Sequence, residues 1–288
     1  MWKKKGADKN TGADQMTFYI CETCGVQYER TEHPPEKCLI CEEERQYVSP
    51  QGQTWTTLEA MRSNDVYHNE ILQEEEGLFS ITTTPSFGIG QTAYLVQDQG
   101  FNMLWDCITY IDEKTKEDLV SKGGLHAIAL SHPHYYSTQV EWAEAFNVPI
   151  YIHEDDREWV TRSSDRIIYW KEESLSLSDG IKLHRLGGHF KGGAVLHWSS
   201  DWHNGILLTG DVIQVAADRR WVSFMYSYPN MIPLPAATVA RIANQTASLP
   251  FDRLYNAFHR VVKEEAGQAV QRSARRYIQA LEGKDFTT

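Results

Sequence analysis

Three histidines and one aspartate stand at points of the chain where their side chains could meet. The stretch "ALSHPHYYST", residues 129–138, places His132 and His134 one residue apart at the end of an apolar run. In extended backbone, residues two apart face the same side, and Pro133 between them restricts the chain. "LGGHFKGG" holds His189 between glycine pairs, a loop that can bend sharply and approach an ion closely. "ILLTGD" ends on Asp211, a carboxylate just past a third apolar run. Zinc and iron both accept imidazole and carboxylate ligands, so a single cation could gather His132, His134, His189 and Asp211. Asp211 is also placed to position a water molecule. His153, which ends "VPIYIH", is a weaker candidate for the same rim.

A second cluster is purely sulfur. "YICETCGVQYERTEHPPEKCLICEEERQYV" contains Cys21-x-x-Cys24, 13 intervening residues, and Cys38-x-x-Cys41. Two such knuckles facing each other form the closed tetrahedral cage of a structural zinc site, and Gly25 supplies the turn after the first. Iron is the alternative ion, because a tetrahedral set of four sulfurs suits either. The segment resembles zinc ribbons and rubredoxins. So small a module buries little surface, and its metal is expected to hold it together. The remaining cysteine, Cys107, reads as buried filler.

The elements that must position these groups follow from pattern. Residues 1–17, charged and without an apolar stretch, are expected to be a disordered tail. Residues 18–48 form the ribbon and 49–76 a connector with helical potential around Thr57 to Arg62. Residues 77–288 form the large domain. There, β-rich runs ("LFSITTT", "TAYLVQDQ", "FNMLWDCI", "LHAIAL", "VPIYIH", "GAVLHWSS") alternate with helical ones ("DEKTKEDLVSKGG", "TQVEWAEAFN", "EDDREWVT", "AATVARIANQTASL", "EEAGQAVQRSARRYIQALEG"). Such mixing indicates layered α/β architecture. With 41% hydrophobic and 11% aromatic residues, the 288-residue chain has enough apolar surface for a sizeable core. Its net charge of −11 works against attraction to nucleic acid or anionic lipid. No window is apolar enough to span a membrane, and the expected location is the cytoplasm.

The order of the motifs is similar to that of the metallo-β-lactamase superfamily, over roughly residues 77 to 260. There a histidine pair in H-x-H-x-D-H is followed by a histidine in a glycine-containing loop, an aspartate after glycine and a final histidine. The resemblance implies an αββα sandwich with a metal cleft at one edge between the sheets. It also implies that Asp106, ending "NMLWD", is a partner behind the ligands and that His259 falls roughly where the final histidine would lie. The sequence departs from the family inside the histidine loop, where Tyr136 and Ser137 replace the aspartate and histidine that help hold a second metal. A mononuclear site is therefore expected, with Tyr136 a candidate to donate to an oxyanion or orient water. Trp221, Phe224, Tyr226 and Tyr228 are candidates to line a cleft.

The function expected on this basis is metal-dependent hydrolysis of a small-molecule ester, thioester, lactone or amide by metal-activated water, with zinc or iron in the cleft. Two other readings remain open. One is a mononuclear-iron oxidoreductase. The other is a catalytically inactive binding protein whose zinc ribbon docks a protein partner. Nucleic acid is a poor fit for an acidic chain without a basic, aromatic-interleaved stripe. The sequence does not indicate an oligomeric state.

Overall fold

The computed structural model describes residues 16–200 and 203–286. It begins with a three-stranded sheet, β1 (Thr17–Cys21), β2 (Gln27–Thr31) and β3 (Trp55–Thr56), in the order β2-β1-β3. The expected tail lies almost wholly outside the described residues, and Thr17 already belongs to the first strand. A short helix, α1 (Leu58–Ser63), follows, with the Thr57 hydroxyl accepting from the Ala60 amide as its N-cap.

The large domain opens with β4 (His68–Glu75), which pairs antiparallel with β5 (Leu78–Thr84). The segment 49–76 is thus no simple connector, because β3 completes the ribbon sheet and β4 the large one. β4 is an edge strand exposed along much of its length and lacks the apolar alternation that marks a strand in sequence. Next come β6 (Ala93–Asp98), β7 (Phe101–Trp105), α2 (Glu113–Ser121), β8 (Ala127–Ala129), α3 (Gln139–Phe146), β9 (Ile150–His153) and β10 (Ile167–Trp170). "EDDREWVT" forms only a 3-10 turn over Glu154–Trp159, not an α-helix. Together β10-β9-β8-β7-β6-β5-β4 make a seven-stranded sheet.

The second half contributes β11 (Ser174–Ser176), β12 (Ile181–Arg185), β13 (Ala194–Ser200) and β14 (His203–Leu208). Short strands β15 (Gln214–Val215), β16 (Val222–Ser223), β17 (Met225–Ser227) and β18 (Ile232–Pro233) pair as two small ribbons. Helix α4 (Ala236–Ala247), β19 (Arg253–Tyr255), β20 (Val261–Val262) and α5 (Ala266–Leu281) complete the chain. The second sheet has six strands in the order β11-β12-β13-β14-β19-β20.

Strand alternation sorts the side chains into layers. Tyr94, Val96, Met103 and Trp105 of the first sheet meet Leu196, Trp198, Ile206 and Leu208 of the second in a central core. On the outer face of the first sheet, Leu95 and Leu104 pack with Leu58, Met61, Leu119, Val140 and Trp142 of α1, α2 and α3. Val195 and Leu207 on the far side pack with Val239, Ile242, Ala266 and Val270 of α4 and α5. Each fully buried aliphatic side chain contributes about 1.5–3 kcal/mol on transfer from water, so three such layers stabilise the sandwich. The result is the αββα architecture. Among the described residues, no helix is long and apolar enough to cross a membrane.

The sulfur module is bolted to the sandwich. Gln27 N donates to Ser137 O (3.1 Å) and Glu29 N to Thr161 O (3.0 Å). The Arg162 guanidinium joins Gln27 Oε1 (2.5 Å) to Glu141 (2.6 Å). Thr109 Oγ1 donates to Gly25 O (3.0 Å), a close approach that a β-carbon at Gly25 would block.

Candidate metal centre

Two groups of side chains among the described residues could hold a metal ion. The four cysteines are one; His132, His134, His189 and Asp211 are the other. In the sulfur group, Sγ of Cys21 lies 3.6 Å from Cys41, and Cys24 lies 3.6 Å from Cys38. A disulfide needs about 2.05 Å. A tetrahedron of sulfurs 2.3 Å from a zinc ion has edges of about 3.8 Å, which the spacing fits. Tyr28 Oη (3.3 Å from Cys38 Sγ) and Gln53 Nε2 (3.1 Å from Cys21 Sγ) donate to sulfur from outside the cage. Gly25, at φ +82°, turns the backbone back so that its amide donates to Cys21 O at 2.8 Å.

The second group is built by three loops at one edge of the sandwich. β8 runs into Ser131 and His132, and a 3-10 turn over Pro133–Tyr135 presents His134. The turn between β12 and β13 carries His189, and the end of β14 leads through Thr209 and Gly210 to Asp211. The four residues are at most 5% exposed, and each offers a donor atom within 4.8 Å of the others. His189 Nε2 is 3.2 Å from His134 Nδ1, and His132 Nε2 is 3.8 Å from Asp211 Oδ2. Ligands about 2.05 Å from a tetrahedral zinc stand about 3.3 Å apart, so a modest contraction around an ion suffices. His132 Nε2 and Asp211 Oδ1 are buried with no hydrogen-bond partner, and His134 Nδ1 meets only another imidazole nitrogen, that of His189. Such groups are costly unless something neutralises them, and a cation does. The residues present therefore fit a metal ion.

Hydrogen bonds behind these four side chains aim them. Asp106 follows β7 in left-handed backbone (φ +61°) and accepts from Ser131 N (2.7 Å) and Ser131 Oγ (3.0 Å). Since the Ser131 hydroxyl donates to the carboxylate, it accepts from His132 Nδ1 at 2.8 Å, which leaves the Nε2 lone pair facing the cluster. His189 Nδ1 likewise donates to Met225 O (3.0 Å), freeing Nε2. The Asp156 carboxylate accepts from Gly192 N (2.7 Å) and pins the other side of the His189 loop.

Burial sets the electrostatics. It pushes His132 and His134 well below the ordinary imidazole range and His189 down to about 4, with the Arg45 guanidinium acting in the same direction on all three. The imidazoles are therefore neutral, as ligands must be. Burial raises the Asp211 carboxyl to about 7, opposed by the Tyr135 phenol turned toward it. That phenol has no acceptor at ordinary hydrogen-bond geometry, and its ring stands 4.3 Å from that of His132. Phe190 closes the apolar shell, 4.9 Å from His134 and 5.3 Å from His189.

Several expectations need correction. Tyr136 does not face the cluster. Its ring lies in the core beside α3, and its hydroxyl is directed at Asp156 O, 3.4 Å away. Tyr135 takes the place beside the ligands. Ser137, at φ +45°, is turned away too, its hydroxyl held by Gln91 (2.9 Å) while its carbonyl anchors the ribbon through Gln27. The two positions that depart from the family motif thus serve packing and docking. His259 lies apart from the cluster, 42% exposed, with Nδ1 3.6 Å from Glu74. It borders an open cavity of about 830 Å³ with Arg219, Trp221 and Lys263. His153 packs on Trp170 (4.6 Å) and caps its own turn through Asp155 N. Phe224 belongs to the outer core and Trp221 to the surface, under Arg276. Only Tyr228 and Tyr226 of the aromatic run approach the site. Tyr228 donates to Asp211 O (3.1 Å), and its ring stands 5.6 Å from that of His189. Cys107 is fully buried in the core.

Fold and ligand order together define a metallo-β-lactamase-fold protein carrying an amino-terminal four-cysteine module. Solved structures agree on the fold. The DIM-1 metallo-β-lactamase superposes with a TM-score of 0.54 at 17% identity, over 73% of this chain and 98% of that one. FIM-1 from Pseudomonas aeruginosa, in its mono-zinc form, gives 0.51 at 14%, over 73% and 96%. VMB-1 gives 0.55 at 11%, over 74% and 98%. No family model matches the sequence. The chain belongs to the family of the Bacillus subtilis (strain 168) protein YmaE, an uncharacterized protein to which it is 63% identical over 274 residues, 95% of this chain and all of that one. A match of that extent takes in both the cysteine module and the sandwich.

Proposed function

We propose that the protein is a metal-dependent hydrolase acting on an ester, thioester, lactone or amide of a small molecule. The observation that carries this reading is the convergence of His132, His134, His189 and Asp211 with His132 Nε2 and Asp211 Oδ1 buried and unpartnered. His132, His134 and His189 would hold one zinc or iron ion, with Asp211 as fourth ligand or as the carboxylate that orients water. Bound there, the ion would polarise a carbonyl and lower the pKa of a coordinated water. Burial raises the Asp211 carboxyl to about 7 in the metal-free site, and a bound cation would favour the carboxylate form, which can accept a proton from water. Tyr135 steadies its charged form, and Phe190 and Tyr135 exclude bulk water, which strengthens every charge interaction inside. The side chains at 136 and 137 supply no second set of ligands, which favours a mononuclear centre. The cysteine cage would hold a structural zinc.

Metal analysis of purified protein should give about two ions per chain, one for each cluster. Ester, thioester, lactone and amide panels should be turned over by the parent and not by His132→Ala or His189→Ala. Equal rates in all three would refute the catalytic assignment, and three ions per chain would refute the mononuclear one.

A further inference from the structure

The cysteine module reaches the cleft through one loop. Directly after Cys41, residues 42–46 fold back on the cage (Glu42 N to Cys38 O, 3.0 Å) and extend Arg45 over the sandwich. The Arg45 guanidinium donates to His189 O at 3.1 Å, stacks over Phe190 at 3.9 Å and is fixed by Glu43 at 2.7 Å. The same loop grips the hairpin of β17 and β18. Ser227 Oγ donates to Arg45 O (3.1 Å), and Tyr226 Oη bonds Glu43 (3.3 Å). Asn230 Nδ2 donates to Glu44 O (2.8 Å) and Gln46 O (2.9 Å). That hairpin supplies Met225 O, the acceptor that orients the His189 imidazole. His189 is therefore held at its backbone by Arg45 and at its ring by a strand that the cysteine module clamps.

We propose that Arg45 is a positioning residue for His189, and that the sulfur module is an integral wall of the cleft that sets its affinity for a cation. This rests on the metal-site reading of the histidine cluster. The alternative role for Arg45 is that of a bystander charge, and the two roles have opposite signs. A nearby guanidinium repels a cation, so removing a mere bystander leaves binding unchanged or tightens it. Removing a positioning group weakens it, by 10–100-fold for partners that orient metal ligands.

The test is cobalt(II) titration of the full chain. Near-ultraviolet thiolate-to-cobalt charge transfer reports the cage alone, and with the cage first filled with one equivalent of zinc the visible d–d bands report the histidine cleft. Arg45→Met, which keeps the stacked bulk over Phe190, is expected to weaken cleft binding at least tenfold with the cage band unchanged. The neutral change Asn230→Ala, which frees the hairpin without altering charge, is expected to weaken it severalfold, and it carries the test if Arg45→Met fails to fold. Cleft affinity within twofold of the parent, or tighter, in folded variants overturns the proposal and leaves the hydrolase reading standing. A parent chain whose cleft takes up no cobalt overturns both.

Discussion

Gly210→Ala tests the architecture behind His132. Gly210 sits at φ +51°, and a β-carbon there would collide with Ser131 Oγ, come within 2.8 Å of Ser131 Cβ and reach 3.4 Å from Asp106 Oδ2. The left-handed backbone alone costs an alanine about 1–2 kcal/mol. Ser131 cannot retreat without loosening its 2.7 and 3.0 Å bonds to Asp106 and its 2.8 Å bond to His132, and a buried polar group losing its partner costs roughly 1–3 kcal/mol. The sum is a destabilisation of about 2–5 kcal/mol by urea unfolding, together with a cleft that binds metal at least tenfold more weakly. Ser131→Ala alone should cost about 1–3 kcal/mol. Because both changes act through the same side chain, the double variant should lose less than the sum, by about 1 kcal/mol or more. A Gly210→Ala loss below about 1 kcal/mol, or strict additivity, would show that this layer does not hold the ligand.

The two adjacent tyrosines should separate in a titration of metal loading against pH. Tyr135→Phe is expected to move the midpoint upward, because the phenol favours the charged form of Asp211, whereas Tyr136→Phe should leave it in place and cost under about 1 kcal/mol of stability. Asp156 is raised from 3.8 to about 7 by burial, so the folded chain holds a proton there that the unfolded chain releases above pH 3.8. Its stabilising contribution is complete below that pH and lost as pH climbs through about 7. The unfolding free energy of Asp156→Asn should therefore gain on the parent by an amount on the order of 4 kcal/mol between pH 4 and pH 8, and parallel pH profiles would contradict this. Cys38→Ser should lower the metal count by one and lower the urea midpoint of the cysteine module, read by Trp55 fluorescence beside it in a background with other tryptophans replaced.

What could be read from the residues alone depended on how local each signal was. The cysteine cage was legible because each knuckle closes within four residues and the paired spacing is specific. The convergence of His132, His134, His189 and Asp211 was legible because each of their three loops ends an apolar strand. Which tyrosine joins them was not. In the 3-10 turn after His132, successive side chains diverge by about 120°, so a one-residue difference decides between the cluster and the core. His259 occupies a suitable place in the order of the chain, yet a left-handed residue beyond β19 leaves it at the surface beside Glu74. β4 escaped notice because an exposed edge strand carries little hydrophobic pattern. Arg45, Ser131 and Met225 O gave no warning, since their roles exist only across long separations or through backbone atoms. Asp106 was legible only through the family resemblance, and Ser131 could have been suspected between that carboxylate and His132.

The clamp between residues 43–46 and 226–230 joins segments made far apart in time. At synthesis rates of about 5–20 residues per second, roughly 10–40 s pass between emergence of the second cysteine knuckle and of the hairpin that grips it. For roughly the first half of that interval the nascent chain presents four thiols with neither Gln27's dock at Ser137 nor the hairpin made, and for the rest it still lacks the hairpin. Early capture of an ion by those thiols would protect them from oxidation and hand the growing sandwich a finished surface on which to close.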